Sequence, residues 1–267
     1  LISEYEEAFN NFLFFMPENL HSFFEEWKII RDFENLKILS ACIINNIPID
    51  YCLYLFGPQG KVTHKKLRQL SESKNVKVML LKAKTLFPSG TVSQIHLQDG
   101  TAIDHIQSSI DRIAANYLSE TCLTLDLQDP EETRKLVMEK YEIKDIITIA
   151  RLKKYGISPQ IINSHLIGQQ SKLKEGETKK LVSAKSYKIF YNSLSKTYYG
   201  KALPSEPLSP RALEEVLNHL FFRELTKPAE TIGENMVIRF MLGLEYCFPV
   251  IWNAIIFSLI GDREDEE

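Results

Sequence analysis

Arg31-Asp32-Phe33-Glu34-Asn35-Leu36-Lys37-Ile38-Leu39-Ser40-Ala41-Cys42-Ile43-Ile44-Asn45-Asn46-Ile47-Pro48-Ile49-Asp50 reads as one amphipathic helix followed by a short turn. A second copy stands downstream as Lys140-Tyr141-Glu142-Ile143-Lys144-Asp145-Ile146-Ile147-Thr148-Ile149-Ala150-Arg151, continuing through Lys153-Lys154-Tyr155-Gly156-Ile157-Ser158-Pro159. In this register Asp32 pairs with Glu142, Asn35 with Asp145, Leu36 with Ile146 and Leu39 with Ile149. The register runs without a gap to the turn, where Ile47 pairs with Ile157. A fainter third copy is led by Glu245, with Phe248 at the Asn/Asp position and Pro249 after it. An internal period of this kind decides the architecture before any single residue does.

Helical spacing dominates the rest of the chain and strand-like alternation is nearly absent. Tyr5, Phe9, Phe12 and Leu13 fall on one face of a helix over 4–15, and Pro17 opens the next. Thr63 is an N-cap for a helix carrying Leu67 and Leu70, whereas the length of Val76 to Leu81 suits either a strand or a helix. Phe87 to Gly100 is the longest turn-rich interval, and a helix with Ile103, Ile106, Ile110 and Ile113 begins at Thr101. Asp129-Pro130-Glu131-Glu132 is a helix start, with a cap, a first-turn proline and carboxylates at the positive end. A charged loop over Gln169 to Lys180, a linker over Leu203 to Pro210 and a helix capped at Ser209 complete the pattern.

These spacings predict an all-α chain of three pseudo-symmetric helical repeats. The units are approximately 31–128, 141–230, and 231–267 combined with 1–30, so that both chain ends build the third and close a ring-like all-helical body. Contact between residues 4–27 and 240–260 is the geometric consequence.

The 267 residues are 44% hydrophobic and 25% charged, enough for a sizeable core. A formal net charge of −3 without a basic cluster argues against nucleic acid as a partner. Four well-separated cysteines, Cys42, Cys52, Cys122 and Cys247, read as reduced buried thiols in a cytoplasmic protein. The sequence opens at Leu1 without Met, which leaves room for preceding residues or a removed signal. The most apolar run, Tyr246 to Ile260, contains Pro249 and falls short of the roughly 20 residues needed to span a bilayer. It reads as a core helix, and the acidic tail from Asp262 to Glu267 as a solvated end.

No constellation for catalysis, cofactor or metal emerges. The six histidines lack the spacing that sets ligands on one side of a metal. The best cluster, His96, Asp99, Asp104 and His105, reads as a polar loop and helix cap. Gly57-Pro58-Gln59-Gly60-Lys61 lacks phosphate-loop spacing, and Pro58 removes a donor from any anion nest. The repeated acids Asp32, Glu142 and Glu245 are expected in the first turns of their helices, where the macrodipole favours them. Asn35 and Asp145, one turn later, are expected to pair with Arg or backbone groups of a neighbouring unit.

The acid-x-x-Asn/Asp-apolar helix, its Pro or Gly-x-x-Pro turn and a period near one hundred residues together resemble the C subunit of A-type and bacterial V-type ATPases. The eukaryotic V-type counterpart is the d subunit. Asp32-Phe33-Glu34-Asn35-Leu36-Lys37, Tyr141 to Ile146 with Lys153 to Pro159, and the segment around Arg239 and Glu245 carry the likeness. Phe248, Pro249 and the shorter chain depart from it, as in a divergent bacterial relative.

The resemblance implies a three-fold pseudo-symmetric funnel with no catalytic centre and no cofactor. It would sit peripherally on the cytoplasmic side of the membrane proteolipid ring, hold the central shaft and couple ATP-linked rotation to ion transport. The Gly57–Gly60 loop and Phe87–Gly100 are candidates for ring contact. The rival expectation is a helical-repeat scaffold for partner proteins unrelated to the ATPase, and a third is an all-α enzyme.

Overall fold

The structure is a computed structural model and describes residues 2–88, 91–92, 95, 102–227, 234–245 and 247. Among these residues the fold is all-α, without a strand. The chain runs through α1 (Ile2–Phe14), α2 (Glu18–Trp27), α3 (Ile29–Ile44), α4 (Ile49–Leu55), α5 (His64–Ser71), α6 (Val76–Ala83) and α7 (Ile103–Thr124). It continues through α8 (Pro130–Lys154), α9 (Pro159–His165), α10 (Glu177–Ser183), α11 (Tyr187–Leu194), a 3-10 turn (Tyr198–Ala202), α12 (Pro210–Leu225) and helical residues 234–245.

The cap signals act as elementary chemistry dictates. Asp129 accepts from Glu132 N–H ahead of Pro130, Thr63 from Lys66 N–H and Ser209 from Ala212 N–H, each satisfying an otherwise unpaired first-turn donor. At the other end, α3 and α8 stop in the same way. Ile47 N–H donates to the Cys42 carbonyl at 2.9 Å, and Ile157 N–H to the Leu152 carbonyl at 3.1 Å. Such a six-residue closure needs one left-handed residue, supplied by Asn46 (φ 52°) and Gly156 (φ 70°). The short helices that follow, α4 and α9, are each seven residues long.

Helix α8 forms the spine. Leu136, Val137, Met138, Tyr141, Ile143, Ile146, Ile147, Ile149 and Ala150 are buried on every side of it, as in a helix enclosed by others. Helix α7 packs between α8 and α3 through Ile106, Ile110, Ile113 and Leu118, and α12 covers α8 elsewhere. Leu36 and Ile146 are fully buried, each burial contributing roughly 1.5–3 kcal/mol.

The N-terminal helices touch helical residues 234–245. Phe12 and Phe240 rings lie 5.4 Å apart, and the Tyr5 hydroxyl donates to Glu245 Oε1 at 2.6 Å. Thr231, Phe248, Pro249, the run to Ile260 and the tail 262–267 lie outside the described residues, as do His96 and Asp99.

Several local expectations are refined. Val76 to Leu81 is helical, because Asn75 caps α6 and its apolar residues meet the core on one side. The charged interval from Gln169 to Lys180 ends inside α10, and the connection over 203–210 is pinned rather than loose. Tyr187 and Tyr191 hydroxyls donate to the Leu208 and Pro204 carbonyls at 2.6 and 3.0 Å. The cysteine expectation is corrected: Cys42 and Cys52 are disulfide-bonded, with Cα atoms 6.3 Å apart, while Cys122 and Cys247 are free. The turn after α3 folds α4 back, bringing together residues ten apart that no local motif couples.

Candidate functional site

The repeated polar residues face the loops that follow their own helices. Asp32 Oδ2 accepts from the backbone N–H groups of Lys61 at 2.6 Å and Val62 at 3.0 Å, which lie 29 and 30 residues downstream. Glu142 Oε1 and Oε2 accept from Ser171 and Lys172 N–H, both at 2.8 Å, again 29 and 30 residues downstream. Asn35 Oδ1 accepts from Gly57 N–H at 2.9 Å, and Asp145 Oδ1 from Ile167 N–H at 2.7 Å, both 22 residues away. Three contacts thus recur at one constant offset, the same register that pairs Asp32 with Glu142 and Asn35 with Asp145.

The Asn/Asp difference between the two copies has a local cause. Gly168 donates its N–H to Asp145 Oδ2 at 2.8 Å, so a carboxylate with two acceptors fits. The corresponding residue in the first copy is Pro58, which has no N–H. There an amide serves better, and Asn35 Nδ2 donates to the Pro58 carbonyl at 3.3 Å. The glycine-rich loop 57–61 is therefore the mate of Asp32 and Asn35. Its N–H groups at Gly57 and Lys61 already have acceptors, and Gly60 lies so close to Asp32 and the Lys28 carbonyl that a Cβ would clash with both.

Burial sets the electrostatics. Desolvation pushes the Asp32 carboxyl up to about 7 against the pull of the backbone donors at 60–62 and of Arg31. Desolvation likewise raises Asp145 to about 6 despite its two backbone donors. Tyr199 donates its hydroxyl to Glu142 Oε2 at 2.6 Å, and burial with the adjacent carboxylate drives its pKa far up, keeping it a donor. The macrodipole account is corrected for Glu142, which lies mid-way along the 25-residue α8 rather than in a first turn. Asp32 does stand in the first turn of α3, but its side chain is directed at the loop. The partners are backbone groups 22–30 residues along the same copy, rather than groups of a neighbouring unit.

Glu245 has different partners. It accepts from Tyr5 and from Arg31, whose Nε lies at 3.2 Å and whose guanidinium stacks 4.1 Å from the Phe9 ring centroid. Alongside, Lys37 Nζ bridges Glu34 at 2.6 Å and Asp111 at 2.8 Å, and Lys144 reaches Asp111 at 3.3 Å, joining α3, α7 and α8. Sequence reasoning missed Tyr5, Arg31, Asp111 and Tyr199. All act across 26 to more than 200 residues, and only the Pro58/Gly168 contrast offered a readable hint.

Asp32, Glu142 and Glu245 are each engaged by separate donor sets. A cavity of about 20 Å³, with Glu245 and Lys140 at its wall, has room for about one water. A larger cavity of about 260 Å³ is lined by none of the three acids. His105 meets His165, their rings 6.1 Å apart, and among the described residues no group of three potential ligands could hold a metal. Among those residues, too, no helix is long and apolar enough to cross a membrane.

The described residues define an all-α protein whose buried acids anchor the loops that follow their helices. The chain belongs to the ATP synthase (C/AC39) subunit family, whose model matches residues 1–237. It is thus a V/A-type ATP synthase subunit, of a family that is structural rather than catalytic. No curated protein and no solved structure matches the chain.

Proposed function

We propose that this chain is the non-catalytic central-stalk subunit that couples the rotary shaft to the membrane proteolipid ring. It consists of three like-built units, 31–128, 141–230, and 231–267 with 1–30, arranged as a funnel that receives the shaft. The observation that carries this reading is the repeated anchoring of loops 57–62 and 167–173 by buried Asp32, Asn35, Glu142 and Asp145. A coupling must resist torsion, and a charged acceptor holding two or more backbone donors is a stiff tie that leaves no reactive group behind. The contacts of Tyr5 and Phe12 with Glu245 and Phe240 support the joining of the two chain ends. Its partners are the shaft and proteolipid subunits, and its place is peripheral, on the cytoplasmic face of the ring.

The test is reconstitution of the full chain with membranes carrying the remaining ATPase subunits but stripped of this one. Restored ATP-driven ion transport, with shaft and proteolipid subunits recovered on the tagged chain, is the expected result. Capture of neither subunit, with uncoupled hydrolysis unchanged, would reject the role.

A further inference from the structure

We propose that Cys42 and Cys52 form a reversible thiol–disulfide site, addressed by small thiols through the cavity at the α3–α4 corner. Their Cα separation of 6.3 Å lies within the range of about 4.4–6.8 Å that a disulfide bridges without moving backbone. The second copy provides an internal control. In the register that pairs Asp32 with Glu142, the corner of α8 and α9 carries Ile162, buried in the core, and Leu152, half-buried against it, in place of the cysteines. The corner therefore folds with two aliphatic side chains, and nothing in its packing calls for sulfur.

The cavity of about 260 Å³ lies beside the pair and is lined also by Ile49, Ser71, Ser73 and Lys74. Ser73 is 7% exposed, and its hydroxyl has no hydrogen-bond partner among the described residues. A buried hydroxyl left unpaired costs stability unless an incoming group satisfies it. Lys74 is exposed beside it and complements the carboxylates of a glutathione-type molecule. Cys122 is the contrast: on α7 it lines neither of the two cavities described above, and burial pushes its thiol up to about 12.

The exchange balances with a low-molecular-weight disulfide as oxidant. The Cys42 thiolate attacks one of its sulfurs, the small disulfide breaks, and the departing thiolate takes up the proton that Cys42 released. The Cys52 thiolate then attacks the Cys42 sulfur of the mixed disulfide, expelling the second small thiol. Two protein thiols are oxidised and one small disulfide is reduced to two thiols; excess small thiol reverses both steps. Cys42, 3% exposed against 0% for Cys52, is the more accessible first attacker. The bond ties the last turn of α3 to α4 and restrains the unfolded chain.

The full chain is equilibrated with oxidised or reduced glutathione, alkylated with iodoacetamide and mapped by mass spectrometry, with Tm measured in parallel. Cys42 and Cys52 should be protected in oxidised glutathione and labelled in reduced glutathione, and oxidation should raise Tm by about 5 °C. A Cys42→Leu/Cys52→Ile variant, which installs the residues of the second copy, should show no dependence of Tm on glutathione. Lys74→Ala should slow oxidation by glutathione disulfide but not by the uncharged hydroxyethyl disulfide. Equal labelling of both cysteines in the two buffers, or a glutathione adduct as the end state, would overturn the proposal whether or not the double variant folds. A Tm shift that persists in the double variant would also overturn it, and unchanged rates in Lys74→Ala would overturn the glutathione subsite.

Discussion

Replacing Glu139 by Leu should stabilise the protein at pH 8 and do much less at pH 5. Glu139 is 0% exposed in the middle of α8, and neither carboxylate oxygen has a hydrogen-bond partner among the described residues. Lys172 Nζ stands 3.8 Å from Oε2, too far for a hydrogen bond, while Glu224 and Glu142 add negative potential. Burial accordingly pushes the Glu139 carboxyl from 4.5 up to about 7. A rise from 4.5 to about 7 is equivalent to at most about 3 kcal/mol. The sign follows from proton affinity. The folded state holds this proton more tightly than the unfolded chain, so stability from Glu139 is full below about 4.5 and is lost as pH rises through about 7.

The equivalent positions indicate what the site accepts. The register that pairs Asp32 with Glu142 sets Ile29 against Glu139, and the one that pairs Glu142 with Glu245 sets Leu242 there; both are buried. Urea denaturation of wild type and Glu139→Leu at pH 5 and pH 8 measures the difference. The expected gain is about 1–3 kcal/mol at pH 8, shrinking at pH 5. Asp32 and Asp145, also raised by burial, impose a slope of the same sign on both proteins, and the difference between the proteins removes it. A variant less stable at both pH values by a constant amount would refute the reasoning. The Lys172 pair would then outweigh burial.

The anchoring acids should respond unequally to amide substitution. Asp32→Asn should cost at most about 1 kcal/mol, because one oxygen, Oδ2, accepts both backbone donors. Glu142→Gln should cost about 2–4 kcal/mol, because both oxygens accept and an amide NH2 would face donors; chemical denaturation distinguishes the two. Leu36→Asp or Ile146→Asp should abolish cooperative unfolding and near-ultraviolet dichroism, since an unpaired charge in the core costs several kcal/mol against a total stability of about 5–15 kcal/mol. Glu245→Ala should cost about 3 kcal/mol and increase protease cleavage within residues 2–14, because it leaves the buried Arg31 guanidinium without this carboxylate. Unchanged cleavage there would show that α1 is held by other contacts.

The sequence by itself determined the helical character, the main helix starts and the constant register between the heads at Asp32 and Glu142. These depend on side-chain spacing and on caps such as Asp129, Thr63 and Ser209, which act within a few residues of themselves. It also carried enough of the family pattern to reach the ATP synthase subunit. Only the tertiary structure decided what the repeated acids do. Their partners are backbone N–H groups, which every non-proline residue owns, so no residue type marks the far end of the contact. The exception shows the rule: Pro58 lacks that group, and Asn35 in place of an aspartate is its visible trace. The meeting of Cys42 with Cys52, the isolation of Glu139 and the reach of Tyr5 to Glu245 likewise arise from turns and packing that bring distant residues together. Local patterns report on neighbours along a helix; contacts made after the chain has folded back belong to the whole arrangement.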